Sequence, residues 1–169
     1  EIVMRPEQPH RMSVLINAGE KAGVQPDMAA ITSDGLAGRV SRIYTNSSEV
    51  QLLTDPSSRV SAVDIRNRIH GIVKPKPTGG LMMDNIPVHQ SVAIGDTIKS
   101  SGLGGVFPAG IPIGKVSKVT VLSPSSLFLD VTIDAFTDFN RMERMFLVAN
   151  DDWRRSAVRC RSRIARRRD

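Results

Sequence analysis

Short apolar runs follow one another along the chain at 13–17, 28–32, 36–44, 50–54, 60–65 and 69–73, separated by Gly, Pro, Asn, Asp and Ser. Runs of this length at this spacing are those of β-strands joined by tight connections. The clearest alternation lies later, where Leu127, Leu129, Val131 and Ile133 interleave with Phe128, Asp130, Thr132 and Asp134. A period of two turns the first set toward a core and the second toward solvent. In 60–65 both parities are apolar, which predicts a bulge or burial on two sides. Helical periodicity is missing from residues 1–150, apart from a single turn expected at 138–144 with Asp138 as its cap, and another near Glu20. The chain reads as all-β.

An internal repeat organises it. Gly38-Arg39-Val40-Ser41-Arg42-Ile43 returns as Gly114-Lys115-Val116-Ser117-Lys118-Val119, keeping glycine, charge, size and hydroxyl at each step. A similar lead precedes each copy, 24–35 against 92–102, and a Ser-rich turn followed by an apolar strand comes after each. The pattern predicts two small β-barrels in tandem, since closure removes the exposed edges of short antiparallel strands. The boundaries expected are an entry linker at 1–12, a first barrel at 13–68 that the last strand could complete, a second barrel at 69–149, and an Arg-rich tail at 150–169.

The second copy differs from the first by extra residues at 103–110, inside the stretch SSGLGGVFPAGIPIGKV (100–116). This glycine-rich run is not a phosphate loop. A P-loop ending at Gly114-Lys115 needs glycine at 109 and a hydroxyl at 116, where the chain has Ala109 and Val116; a dinucleotide fingerprint needs glycine at 107, where it has Phe107. The run is a lengthened turn whose Leu103, Val106, Phe107 and Pro108 are the candidate protein-binding residues, because apolar loop tips on a rigid barrel make binding surfaces.

Charge alters the picture only at the end of the chain. The formal net charge is +6, but eight arginines lie in 151–169, leaving 15 basic and 14 acidic residues for 1–150. A nearly neutral body with one Trp and one Tyr lacks the basic stripe and aromatic platforms of a nucleic-acid binder. In the tail, Trp153, Ala157, Cys160 and Ile164 are spaced as one stripe of a helix. A short basic helix is expected there on contact with an anionic or acidic surface, through Trp153, Arg154, Arg155, Arg159, Arg163 and Arg166; the alternative is a solvated arginine run. Cys160 is the sole cysteine, so an internal disulfide is excluded. No apolar run reaches the roughly 18 residues of a membrane helix. With Glu1 in place of an initiating methionine, the chain is expected to be part of a longer protein.

Gly95-Asp96 followed by SSGLGGVFPAGIPIGKV, preceded by DGLAGRV (34–40) and LLTDPSSRV (52–60), resembles the extracytoplasmic region of the bacterial rod shape-determining MreC family over about residues 13–149. The resemblance implies a non-enzymatic scaffold of the cell-elongation machinery, with no cofactor and no catalytic residues. It further implies self-association as dimers or filaments, contact with the elongation-specific class B penicillin-binding transpeptidase and with MreD, and a location at the extracytoplasmic face of the inner membrane, anchored by a helix upstream. The Arg-rich tail lies outside the family pattern.

Two other readings compete. Tandem barrels also describe trypsin-like hydrolases, but His10 lies in the expected linker, His70 and His89 fall late for that order, and Ser100-Ser101-Gly102 lacks the glycine spacing of a nucleophile elbow. An unrelated β-barrel adaptor is the other. Asp130 and Asp134 share a strand face without a nearby histidine, so solvated carboxylates are expected in preference to a metal site.

Overall fold

The computed structural model describes residues 1–4, 11–121 and 126–149. Among them are twelve strands: β1 (Ile2–Met4), β2 (Ser13–Ile16), β3 (Ala29–Ile31), β4 (Leu36–Ile43), β5 (Ser48–Leu52), β6 (Val60–Asp64), β7 (His70–Pro75), β8 (Leu81–Pro87), β9 (Thr97–Ser100), β10 (Pro112–Val121), β11 (Phe128–Ala135) and β12 (Phe146–Val148). The all-β expectation holds, and near Glu20 there is only a 3-10 turn at Glu20–Ala22. At 138–144 no helix forms; the Asp138 carboxylate instead accepts the Asn140 amide at 3.0 Å, closing one turn.

Two antiparallel sheets result. One is a closed barrel in the cyclic order β10-β11-β8-β7-β6-β9; the other is a six-stranded sheet ordered β1-β2-β5-β4-β3-β12. Placed side by side as β7-β8-β11-β10-β9-β6 and β1-β2-β5-β4-β3-β12, the two match strand for strand. The difference is at the seam. In the barrel β6 and β7 form a paired hairpin, Val60 opposite Val73 through Val63 opposite His70. Their counterparts β12 and β1 lie near opposite ends of the described chain, and there the Ile2 amide donates to the Glu143 carbonyl at 3.0 Å. A groove of about 420 Å³ lined by Ile2, Met4, Met142 and Glu143 runs along this opening.

The repeat is visible atom by atom. Register slips between Val40 and Arg42 in β4 and between Val116 and Lys118 in β10. At each slip sits the matching serine: Ser41 Oγ donates to the Glu49 carbonyl at 3.2 Å and Ser117 Oγ to the Thr132 carbonyl at 3.4 Å. A bulge of this kind bends a strand enough for a small sheet to curl. Upstream, the Val40 amide donates to the Met28 carbonyl and the Val116 amide to the Asp96 carbonyl, both at 2.9 Å.

Val60, Ala62, Val73, Leu81, Met83, Ile98, Ile113, Val116, Leu129, Val131 and Ile133 fill the barrel, and Val14, Ile16, Ala30, Ala37, Val40, Val50 and Leu52 line the concave side of the other sheet. The sheets share packing: Ala29 and Leu36 belong to the barrel's cluster, and Phe139 touches both. Thr137 Oγ1 donates to the Leu36 carbonyl at 3.2 Å across the junction. Gly35 lies so close to β10 that a Cβ would be 2.5 Å from the Pro112 oxygen. Gly35→Ala is therefore expected to loosen this junction and lower the melting temperature measurably, while Gly23→Ala, strained by its φ of 77° but open on all sides, is expected to cost about 1 kcal/mol; equal melting of Gly35→Ala and the parent would contradict the packing.

Two boundaries expected from the sequence change, and so does the closure of the first unit. The linker at 1–12 contains a strand, because β1 pairs with β2. Val60–Asp64 belongs to the closed barrel and not to the first unit, since it pairs with β7 and β9. The first unit is an open sheet and not a closed barrel. The alternation starting at Leu127 also begins one pair late: Leu129, Val131 and Ile133 point inward, but Leu127 precedes the strand and is 73% exposed.

Candidate partner-binding surface

The lengthened turn joins β9 to β10 at the barrel end facing the first sheet. Ser100 closes it from within: its Oγ donates to the Pro108 carbonyl at 2.5 Å and accepts the Ile111 amide at 2.9 Å. In the first copy Thr32 Oγ1 accepts the Gly35 amide at 3.3 Å in the same way. Ser100, weighed as a nucleophile, is 1% exposed and its hydroxyl is committed to the turn. Four glycines with positive φ, Gly102, Gly104, Gly105 and Gly110, let the loop double back.

That doubling back buries most of the expected contact set. Phe107 is 6% exposed and packs in the barrel core, Pro108 is buried beside it, and Val106 is half-buried against the same cluster. Leu103 alone of the four stands out, at 60% exposure. The physical reason is the open barrel mouth, which takes up the aromatic ring and removes a large apolar area from water. The Arg-rich tail, with Trp153, Arg154, Arg155, Arg159, Arg163 and Arg166, lies outside the described residues, as does His10. His70 and His89 are exposed and far from Ser100 in the fold, at the other end of the barrel. Asp130, expected to be solvated, is 12% exposed and lies 3.7 Å from Lys76 Nζ.

Two buried carboxylate clusters hold the loops. Asp55 accepts from the Met12 amide at 2.9 Å, the Ser57 amide at 2.9 Å and Gln51 Nε2 at 2.8 Å. Burial pushes its pKa up, but the bonds from Ser57, Gln51 and Met12 outweigh it and hold the carboxyl below its ordinary value. At the far end of the barrel Arg66 grips Asp96 with two bonds of 2.7 and 2.8 Å, which lowers the Asp96 pKa despite burial. Its neighbour Asp64 is 0% exposed; Oδ1 accepts the Arg66 amide at 3.1 Å while Oδ2 has no hydrogen-bond partner among the described residues. Desolvation and the charge of Asp96 raise the Asp64 pKa.

These shifts have opposite consequences. Asp55 and Asp96 stabilise the fold above the ordinary aspartate range, and that contribution is lost as pH falls through their lowered folded values. Asp64 acts inversely, favouring the fold at low pH and opposing it as pH rises through its raised value. Asp64→Asn is thus expected to stabilise the protein at pH 7 by about 1 kcal/mol, the scale of one buried unpaired polar atom, with the gain shrinking toward pH 4. Thermal melts at both pH values check this; a gain that grows on acidification would refute it.

A family model described as "Rod shape-determining protein MreC, barrel core" matches residues 2–149. The chain belongs to the MreC family. The cell shape-determining protein MreC of Listeria monocytogenes is 40% identical over 111 residues, covering 63% of this chain and 38% of that protein, so the chain spans well under half of this relative's length. A solved structure of Listeria monocytogenes MreC superposes with a TM-score of 0.80 at 31% identity, covering 88% of this chain and 73% of that one. A solved complex between a penicillin-binding protein and MreC from Helicobacter pylori matches with a TM-score of 0.66 at 22% identity, over 83% of this chain and 87% of that chain, which is a likeness of fold. Among the described residues no helix is long and apolar enough to cross a membrane.

Proposed function

We propose that the chain is the extracytoplasmic part of a non-enzymatic MreC scaffold that maintains rod shape. In this reading it is held at the outer face of the bacterial inner membrane by a segment upstream, associates with itself, and organises wall synthesis around MreD and the elongation-specific penicillin-binding transpeptidase. The observation that carries it is the match of the MreC barrel core to residues 2–149; the Helicobacter pylori complex supports the transpeptidase as a partner.

The turn at 102–110 serves self-association. It has no charged residue and projects Leu103 from a base anchored by Phe107 and Pro108. A neutral apolar tip can meet a second copy without like-charge repulsion. Light scattering on a sizing column tests both parts: the 169-residue chain is expected to exceed monomer mass at high concentration and to form a joint peak with the extracytoplasmic part of the transpeptidase. Leu103→Asp is expected to abolish the first and spare the second. A monomer that never joins the transpeptidase would overturn the reading.

A further inference from the structure

Asp64 puts a carboxyl inside the barrel. It follows Val60 and Ala62 on the inner side of β6 and is 0% exposed. The side chains that β7, β8, β10 and β11 bury are apolar, and none of the charged side chains on β7 to β11 is buried. A second carboxyl stands beside it. Asp64 is opposite Ile98 of β9, the Ile65 amide donates to the Thr97 carbonyl at 3.1 Å, and Asp96, 8% exposed, comes next. The two carboxyls are within hydrogen-bonding reach of each other. One residue holds both: the Arg66 amide donates to Asp64 Oδ1 and its guanidinium to the two oxygens of Asp96. Asp64 Oδ2 is left without a partner among the described residues.

The other sheet does without such a pair. Ala30 and Ile98 both stand opposite the repeat's glycine, Gly38 and Gly114, and across from them lie Leu147 and Asp64. Likewise the Val40 amide donates to the Met28 carbonyl as the Val116 amide donates to the Asp96 carbonyl. Leu147 and Met28 therefore occupy the equivalent places, and both pack against that sheet's core. The same backbone accepts an apolar pair there, whereas two buried like charges side by side oppose the fold.

A single proton removes the opposition. Placed on Oδ2 of Asp64, it is donated to an oxygen of Asp96, which supplies the missing bond and cancels the repulsion. The proton stays with Asp64, because the Arg66 guanidinium and the Ala93 amide, at 2.8 Å, stabilise Asp96 as the anion. Arg66 and Asp96 are the charged groups facing Asp64, while Arg68 and His89 on the adjoining connections are exposed. Asp96 in turn anchors the 88–96 connection, through the Ala93 amide on its side chain and the Val116 amide, at the β10 bulge, on its carbonyl.

We propose that Asp64 and Asp96 share one proton and that this proton fastens the 88–96 connection to the end of β6. The fastened state lies between the lowered Asp96 value and the raised Asp64 value; as pH rises through the latter the bond is lost and the two anions loosen the connection. Carboxyl carbon NMR of the 169-residue chain, titrated over about pH 3 to 8, reads the proton. Asp64 is expected to titrate above the ordinary aspartate value and Asp96 below it, with the Asp96 resonance moving again at the Asp64 step. Hydrogen exchange reads the connection: protection of the Ala93 amide relative to the Val50 amide of the other sheet is expected to fall at least threefold as pH rises through that step. Asp64→Asn keeps a donor toward Asp96 at every pH, so the step in protection is expected to vanish; its melting checks that it folds. Titration of Asp64 at or below the ordinary value overturns the shared proton, on the parent chain alone. Relative Ala93 protection that ignores the Asp64 step, or a step that persists in folded Asp64→Asn, overturns the fastening.

Discussion

Gly114→Val is expected to abolish the folded barrel. A Cβ at 114 would overlap the Asp134 carbonyl oxygen and lie 2.7 Å from Ile133 Cγ2. The strand cannot shift away, because Gly114 is paired on both sides, with Ala135 of β11 and Ile98 of β9, inside a closed ring. Backbone overlap at such a position costs more than about 4 kcal/mol, a large fraction of the roughly 5–15 kcal/mol that holds a domain together. Gly38→Val is expected to do the same to the other sheet, where a Cβ would overlap the Gln51 carbonyl oxygen and lie 3.0 Å from Leu52 Cα. Far-UV circular dichroism and dye binding to exposed apolar surface read the result. A cooperative melt within a few degrees of the parent would show that the ring accommodates the side chain after all.

Phe107→Ala is expected to destabilise the protein by about 3–5 kcal/mol, the cost of emptying a buried aromatic site. Leu103→Asp, four residues earlier in the same loop, is expected to change stability by no more than about 0.5 kcal/mol. The contrast matters for reading any binding experiment on this loop. A charged residue at 107 would remove partner binding by unfolding the barrel mouth, whereas one at 103 acts on the surface. Denaturant unfolding of the two variants separates them; equal midpoints would mean that Phe107 is not seated in the core. The melting of Phe107→Ala is expected to fall on the order of 10 °C.

The strands and the repeat were legible because each rests on a local constraint. Leu129, Val131 and Ile133 alternate because a strand presents every second residue to the core. Gly38 with Ser41, and Gly114 with Ser117, recur because both copies need a residue without a side chain where strands crowd and a hydroxyl at the bulge. The loop at 102–110 reads as a turn, but its periodicity carries no direction, so the inward path of Phe107 is not legible in it. Leu127 shows the same limit from the other side: alternation continues past the last position where there is a core to face. The membership of Val60–Asp64 is not legible locally, because one of its partners, β9, begins more than thirty residues later.

By itself the sequence determined a chain of short strands, a duplicated motif, a near-neutral body and the MreC resemblance, all properties readable from the order of residues along the chain without knowing which of them meet. Only the tertiary structure decided that one copy closes and the other stays open, since closure depends on whether the sealing strands form a hairpin, as β6 and β7 do, or lie far apart, as β1 and β12 do. It also decided the buried carboxyl pair. Asp64 and Asp96 are unremarkable in two separate segments, and antiparallel pairing of β6 with β9 brings them together.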